Sequence, residues 1–164
     1  MKLEKPICFL DIESTGLDLL KDRILEIGII KIFPCGKKEI FESKINPEIE
    51  IPLESSLIHG IYKKDIENEP LFREIADDLF EIINGCFIGG FNVIKFDIPM
   101  IREGFLRVGR DIEIDEKEVI DVQRIFHLME KRNLESAYKF YCKKNIKNAH
   151  RAIVDTQVTL EIFK

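Results

Sequence analysis

Residues 7–10 form an unbroken apolar run, the mark of a strand buried on both faces, with Pro6 tolerated at its entry. Residues 24–33 (ILEIGIIKIF) and 39–45 are rich in β-branched side chains. The turn residues of 34–38 (PCGKK) separate them, so the two segments predict an antiparallel hairpin beside that central strand. The prolines of INPEIEIP mark a loop, and short helical patches follow. From Leu71 to Ile83 the residues Leu71, Ile75, Leu79 and Ile82 recur at helical spacing. Asn84 and Gly85 stop that helix, and CFIGG predicts a fourth strand.

A helix is expected from Asn92 or Ile98 to Leu106, carrying the stripe Ile98, Ile101 and Phe105. VIDVQRIFHLME predicts a fifth short strand entering a helix, and residues 133–140 a further helix. The last helix is expected from Asn148, an N-cap, to Phe163, with Val154, Val158 and Ile162 on one face. Strands in a run, followed by strand and helix alternation, predict an α/β fold with a mixed five-stranded sheet flanked by helices. A chain of 164 residues fits one domain over residues 1–164. Its end at Lys164, directly after the last helix, suits a stand-alone enzyme or an excised domain.

No apolar stretch approaches a membrane span or a signal-peptide core, so a soluble, cytoplasmic protein is expected. Cys8, Cys35, Cys86 and Cys142 form no CxxC pair, which suggests neither a zinc knuckle nor a redox dithiol. The net charge of −5 is unevenly placed: residues 1–122 carry a balance of −10 and residues 123–164 one of +5. Lys143, Lys144, Lys147 and Arg151 crowd around His150. Such a rim suits phosphates, or is a solvated lysine-rich loop.

Candidate chemistry lies in five residues. Asp11 and Glu13, two apart at the end of a strand, point to one face of the sheet. Asp97 fits either an N-cap, with Pro99 just inside the helix, or a carboxylate at the border of a buried stripe. His150 and Asp155, five apart, cannot project from one line of a helix, so the histidine belongs to the first turn or the loop before it. Either it is a surface residue or it swings in as a base. Carboxylates gathered in one pocket repel by roughly 4 kcal/mol per pair at contact distance and an effective dielectric of 20. Four of them call for hard divalent cations, and a two-metal carboxylate site with a nearby histidine suits phosphate-ester hydrolysis.

In order and spacing, DIE (Asp11, Glu13), NVIKFD (Asn92, Phe96, Asp97) and HRAIVD (His150, Ala152, Asp155) resemble the three motifs of the DEDDh 3′–5′ exonucleases. That family includes the proofreading epsilon subunit of bacterial DNA polymerase III and its stand-alone relatives. A related branch has tyrosine where this chain has Arg151. Phe91 departs from the histidine that many members carry. The resemblance implies a ribonuclease-H-like fold and release of nucleoside 5′-monophosphates from a DNA 3′ end. It implies two Mg²⁺ or Mn²⁺ ions: Asp11, Glu13 and Asp155 would bind one, Asp11 would bridge to the second, and Asp97 would reach that second ion through water. His150 would be the general base. Thr15, Leu17, Glu54, His59, Asn92 and Phe96 would contact the substrate, single-stranded DNA foremost and RNA as the alternative, with a DNA polymerase as candidate partner. A non-catalytic module would be expected to lack an acid or the histidine, and all five are present. An accessory subunit active only within a polymerase assembly stays open.

Overall fold

Ile7–Ser14 forms β1, the middle strand of a five-stranded sheet in the computed structural model. Residues 3–130, 132–147 and 149–164 are described, and the chain divides into two compact units, Met1–Gln123 and Arg124–Lys164. In the larger unit β1 pairs antiparallel with β2 (Ile24–Ile32), which turns through Gly36 at φ 85° into β3 (Lys38–Lys44). Short helices α1 (Leu53–His59) and α2 (Lys63–Ile66) follow, then α3 (Phe72–Ile83) and β4 (Phe87–Gly90). Next come α4 (Asp97–Arg107) and β5 (Val119–Asp121), which completes the order β3-β2-β1-β4-β5 with parallel β1–β4 and β4–β5 pairs. The sheet is therefore mixed, as the element order predicts.

β1 is not buried on both faces. Cys8, Leu10, Ile12 and Ser14 point into the core, whereas Phe9 is 37% exposed and shares the opposite face with Asp11 and Glu13. The apolar run hides this alternation because Phe9, though apolar, lies on the open face. The core is closed by Ile75, Ala76, Leu79 and Ile83 of α3 and by Met100, Ile101 and Phe105 of α4. Ile83, not Ile82, completes the buried stripe of α3, and the Phe105 ring meets Phe72 edge-on with centroids 5.4 Å apart. At Gly90 a Cβ would stand 2.8 Å from the Leu10 carbonyl oxygen, so only glycine permits this approach of β4 to β1.

α5 (Val122–Met129) runs across the division between the units, followed by α6 (Leu134–Cys142) and α7 (Ala152–Phe163) in the smaller one. There Tyr138 and Val158 are buried, and Glu161 accepts hydrogen bonds from Tyr138 Oη at 2.8 Å and Lys144 Nζ at 2.9 Å. The Asn133 side chain caps α6 by accepting from the Ser136 N–H. α7 starts at Ala152, behind Arg151 as N-cap; the cap expected at Asn148 lies outside the described residues.

Candidate active site

Strand alternation sets Asp11 opposite Gly28 and Glu13 opposite Glu26 on the open face of the β1–β2 pair. Burial raises the Glu13 carboxyl pKa; nearby His59 opposes the rise, and the Asp11 and Glu26 charges add to it. Gly28 leaves the space across from Asp11 empty, with nothing within 4 Å of where a Cβ would stand.

Asp97 is neither the cap of a helix starting at Ile98 nor a residue within a helix starting at Asn92. It is the first residue of α4, preceded by turns over residues 93–96 in which the Lys95 N–H donates to Asn92 O at 3.1 Å. Its side chain does not cap its own helix. Instead Oδ1 accepts the backbone N–H of Ile12 at 3.1 Å, across 85 residues, which sets the carboxyl against the strand between Asp11 and Glu13. Only 4% exposed, Asp97 is pushed up to about 6 by burial first and by the Asp11 charge second, with hydrogen bonds from its own and the Ile12 N–H opposing.

Two acids that sequence reasoning passed over also shape this site. Asp121, buried at the end of β5, accepts from the N–H groups of Asn92 at 3.0 Å, Ile94 at 3.3 Å and Gln123 at 3.0 Å. It thereby holds Asn92 at φ 63° and the turn that delivers Asp97. An acid closing a buried strand is the same signal that singles out Asp11, and VID carries it. Glu26, facing Glu13, is the polar break inside ILEIGI.

The loop after β1 is tightly laced. Thr15 is 1% exposed; its hydroxyl donates to Asp22 Oδ1 at 2.8 Å and accepts from the Arg23 N–H at 3.0 Å. Its carbonyl takes the Ser55 hydroxyl of α1 at 2.6 Å. Thr15 thus shapes the loop from within and leaves Leu17, 81% exposed, at the surface. At the end of α1, Gly60 adopts φ 75° and His59 Nδ1 accepts the Ile61 N–H at 3.0 Å, so Nε2 carries the proton and is buried without a described partner. Glu54 is exposed in the first turn of α1, and Phe96 packs against the core.

In the smaller unit His150 lies in the turn before α7, at φ 69°, and is exposed. Asp155 sits in the first turn of α7, where its N–H donates to Arg151 O at 2.9 Å. Its Oδ1 is buried with no hydrogen-bond partner among the described residues. Within the described residues no three His, Cys, Asp or Glu side chains are gathered closely enough to hold a metal ion by themselves. Taken unit by unit, the donor chemistry nevertheless fits a hard divalent cation: in the larger unit the Asp97 carboxyl has its pKa raised by burial and by the Asp11 charge, and in the smaller unit an Asp155 oxygen is orphaned in burial.

The chain matches the RNase_T exonuclease family over residues 8–163. It is 32% identical to DNA polymerase III subunit epsilon of Rickettsia conorii, over 94% of this chain and 70% of that protein. Identity is 28% to the PolC-type DNA polymerase III of Caldanaerobacter subterraneus and 29% to the 3′-5′ exonuclease DinG of Staphylococcus epidermidis. The chain spans 11% and 17% of those two proteins' lengths. The solved complex of E. coli exonuclease I with a dT13 oligonucleotide superposes with a TM-score of 0.68 at 18% identity, covering 98% of this chain and 40% of that one. The shared fold is the ribonuclease-H-like α/β arrangement.

Proposed function

The chain belongs to the RNase_T exonuclease family, and from that premise we propose that it is a metal-dependent 3′–5′ exonuclease releasing nucleoside 5′-monophosphates from single-stranded DNA. The observation that carries the proposal is Asp97, a buried carboxylate brought across 85 residues onto the Ile12 N–H between Asp11 and Glu13. In this reading Asp11, Glu13, Asp97 and Asp155 would supply the oxygens for two Mg²⁺ or Mn²⁺ ions, within one exonuclease domain over residues 1–164. Such ions would offset the crowded charge, polarise the scissile phosphodiester and favour ionisation of the attacking water. His150 takes the proton from that water, and its place in the turn before α7 leaves the imidazole free to approach. Leu17, on the loop braced by Thr15, and the Nε2–H of His59 position the terminal nucleotide, with Glu54, Asn92 and Phe96 as further contacts. A cytoplasmic role in proofreading beside a DNA polymerase is supported by the Rickettsia relative being named a polymerase subunit.

The test is digestion of 5′-labelled single-stranded DNA, mismatched primer–template DNA and RNA with Mg²⁺ or Mn²⁺. Stepwise shortening from the 3′ end of single-stranded DNA, lost in Asp97→Asn protein, is the expected result. Preference for RNA would move the substrate within the family, and no digestion of any of the three would overturn the proposal.

A further inference from the structure

The larger unit holds five arginines, of which Arg73, Arg102 and Arg110 each pair with a carboxylate, Glu48, Asp111 and Asp77 respectively. Arg23 and Arg107 pair with no carboxylate among the described residues, and these two stand side by side. Arg23 Nη1 donates to the carbonyls of Leu20 (3.4 Å), Lys21 (2.7 Å) and Asp22 (2.9 Å). Arg107 donates from Nη1 to Asp22 O at 3.0 Å and from Nη2 to the oxygens of Leu19 and Leu20 at 2.7 and 2.9 Å. Two guanidinium groups therefore converge on the same carbonyls of Leu20 and Asp22. Burial first and the Arg23 charge second lower the pKa of Arg107, while the Glu103 and Asp22 carboxylates oppose the shift. Nε and Nη2 of Arg23 and Nε of Arg107 make no hydrogen bond to the described residues, which leaves N–H donors on both forks for a ligand.

Both arginines line a cavity of about 420 Å³, within the range of small-molecule sites. Glu48 is the acid in its wall and is already engaged with Arg73 at 3.1 Å, from a backbone held at φ 59°. Ile24, Ile45 and Phe72 supply apolar surface. Asp97 opens α4 whereas Gly104 and Arg107 near its end line the cavity, about 10 to 15 Å along the helix at 1.5 Å per residue.

We propose that the cavity binds a phosphate group, carried by a free nucleotide or by a nucleic-acid strand, with Arg23 and Arg107 as the paired cations that hold it. A phosphate dianion matches two adjacent guanidinium charges and offers oxygens enough for both forks, whereas a carboxylate neutralises one. The apolar wall gives the attached sugar and base a surface to lie on.

Calorimetric titration of the full chain in EDTA tests this, because without divalent cations the outcome does not depend on the proposed nuclease activity. Inorganic phosphate and dAMP are each expected to bind saturably and to shift the amide NMR signals of Gly104 and Gly109. Arg23→Gln and Arg107→Gln are each expected to weaken binding by about tenfold or more, the loss of a charge-assisted bond. Arg102→Gln, at a cation already paired with Asp111, is expected to leave it unchanged. Tighter binding of an octathymidylate than of dAMP, lost with Arg107→Gln, assigns the phosphate to a strand, and the reverse order assigns it to a free nucleotide. Absence of saturable binding and of those NMR shifts in the unmutated chain overturns the site, as does undiminished binding by folded Arg23→Gln and Arg107→Gln proteins.

Discussion

Asp97 ties the chain's stability to pH. Its folded value of about 6 exceeds its ordinary 3.8, so between those values the folded protein keeps a proton that the unfolded chain releases. Stability therefore falls as pH rises from about 4 to about 6, and the deficit persists above that until a cation offsets it. Denaturation midpoints in EDTA should decline over this interval, and Asp97→Asn should flatten the decline while abolishing nuclease activity. His150→Ala should lower kcat by about 10² to 10⁴, the usual worth of a general base, without moving the melting temperature of so exposed a residue. Chain order alone singles out these residues, because each motif is local. The bond from the Ile12 N–H to Asp97 was not legible, since a contact across 85 residues leaves no trace in the periodicity of either segment.

Among the elements, β2 and most of α3 follow their apolar pattern, β1 hides its open face behind the apolar Phe9, and least legible is the start of α4. It depends on Asn92 at φ 63° and on an acceptor 29 residues downstream, and no window around Asn92 contains that information. Asp121→Ala removes the acceptor of three backbone N–H groups at once. At about 1 to 3 kcal/mol for a buried donor left unsatisfied, the loss should reach about 3 kcal/mol or more in urea denaturation. Asp121→Asn, which keeps one oxygen, should fall between Asp121→Ala and the unmutated chain. The start of α7 was also misplaced: Ala152 begins it, with His150 in a left-handed turn that breaks the helical pattern in residues otherwise compatible with it.

For the whole molecule, cation binding is the property to measure. Mn²⁺ at 100 times its dissociation constant should stabilise the fold by about 2.7 kcal/mol, read as a rise in melting temperature that Asp155→Ala reduces. The two-unit division carried no linker signal, yet the charge balance changes sign between residues 122 and 123, beside the boundary at Gln123. What holds the larger unit together was less visible, and α4 shows why. At its start Asp97 hooks the Ile12 N–H, and at its end Arg107 grips the carbonyls of Leu19, Leu20 and Asp22, across 85 to 88 residues. Closures of that span come late in folding. During synthesis the D-x-E segment leaves the ribosome long before α4 can clasp it, so a nascent or truncated copy carries its first acids without the partner that would arm them. Under the proposed activity, the cell's nucleic acids are safe from an unfinished enzyme.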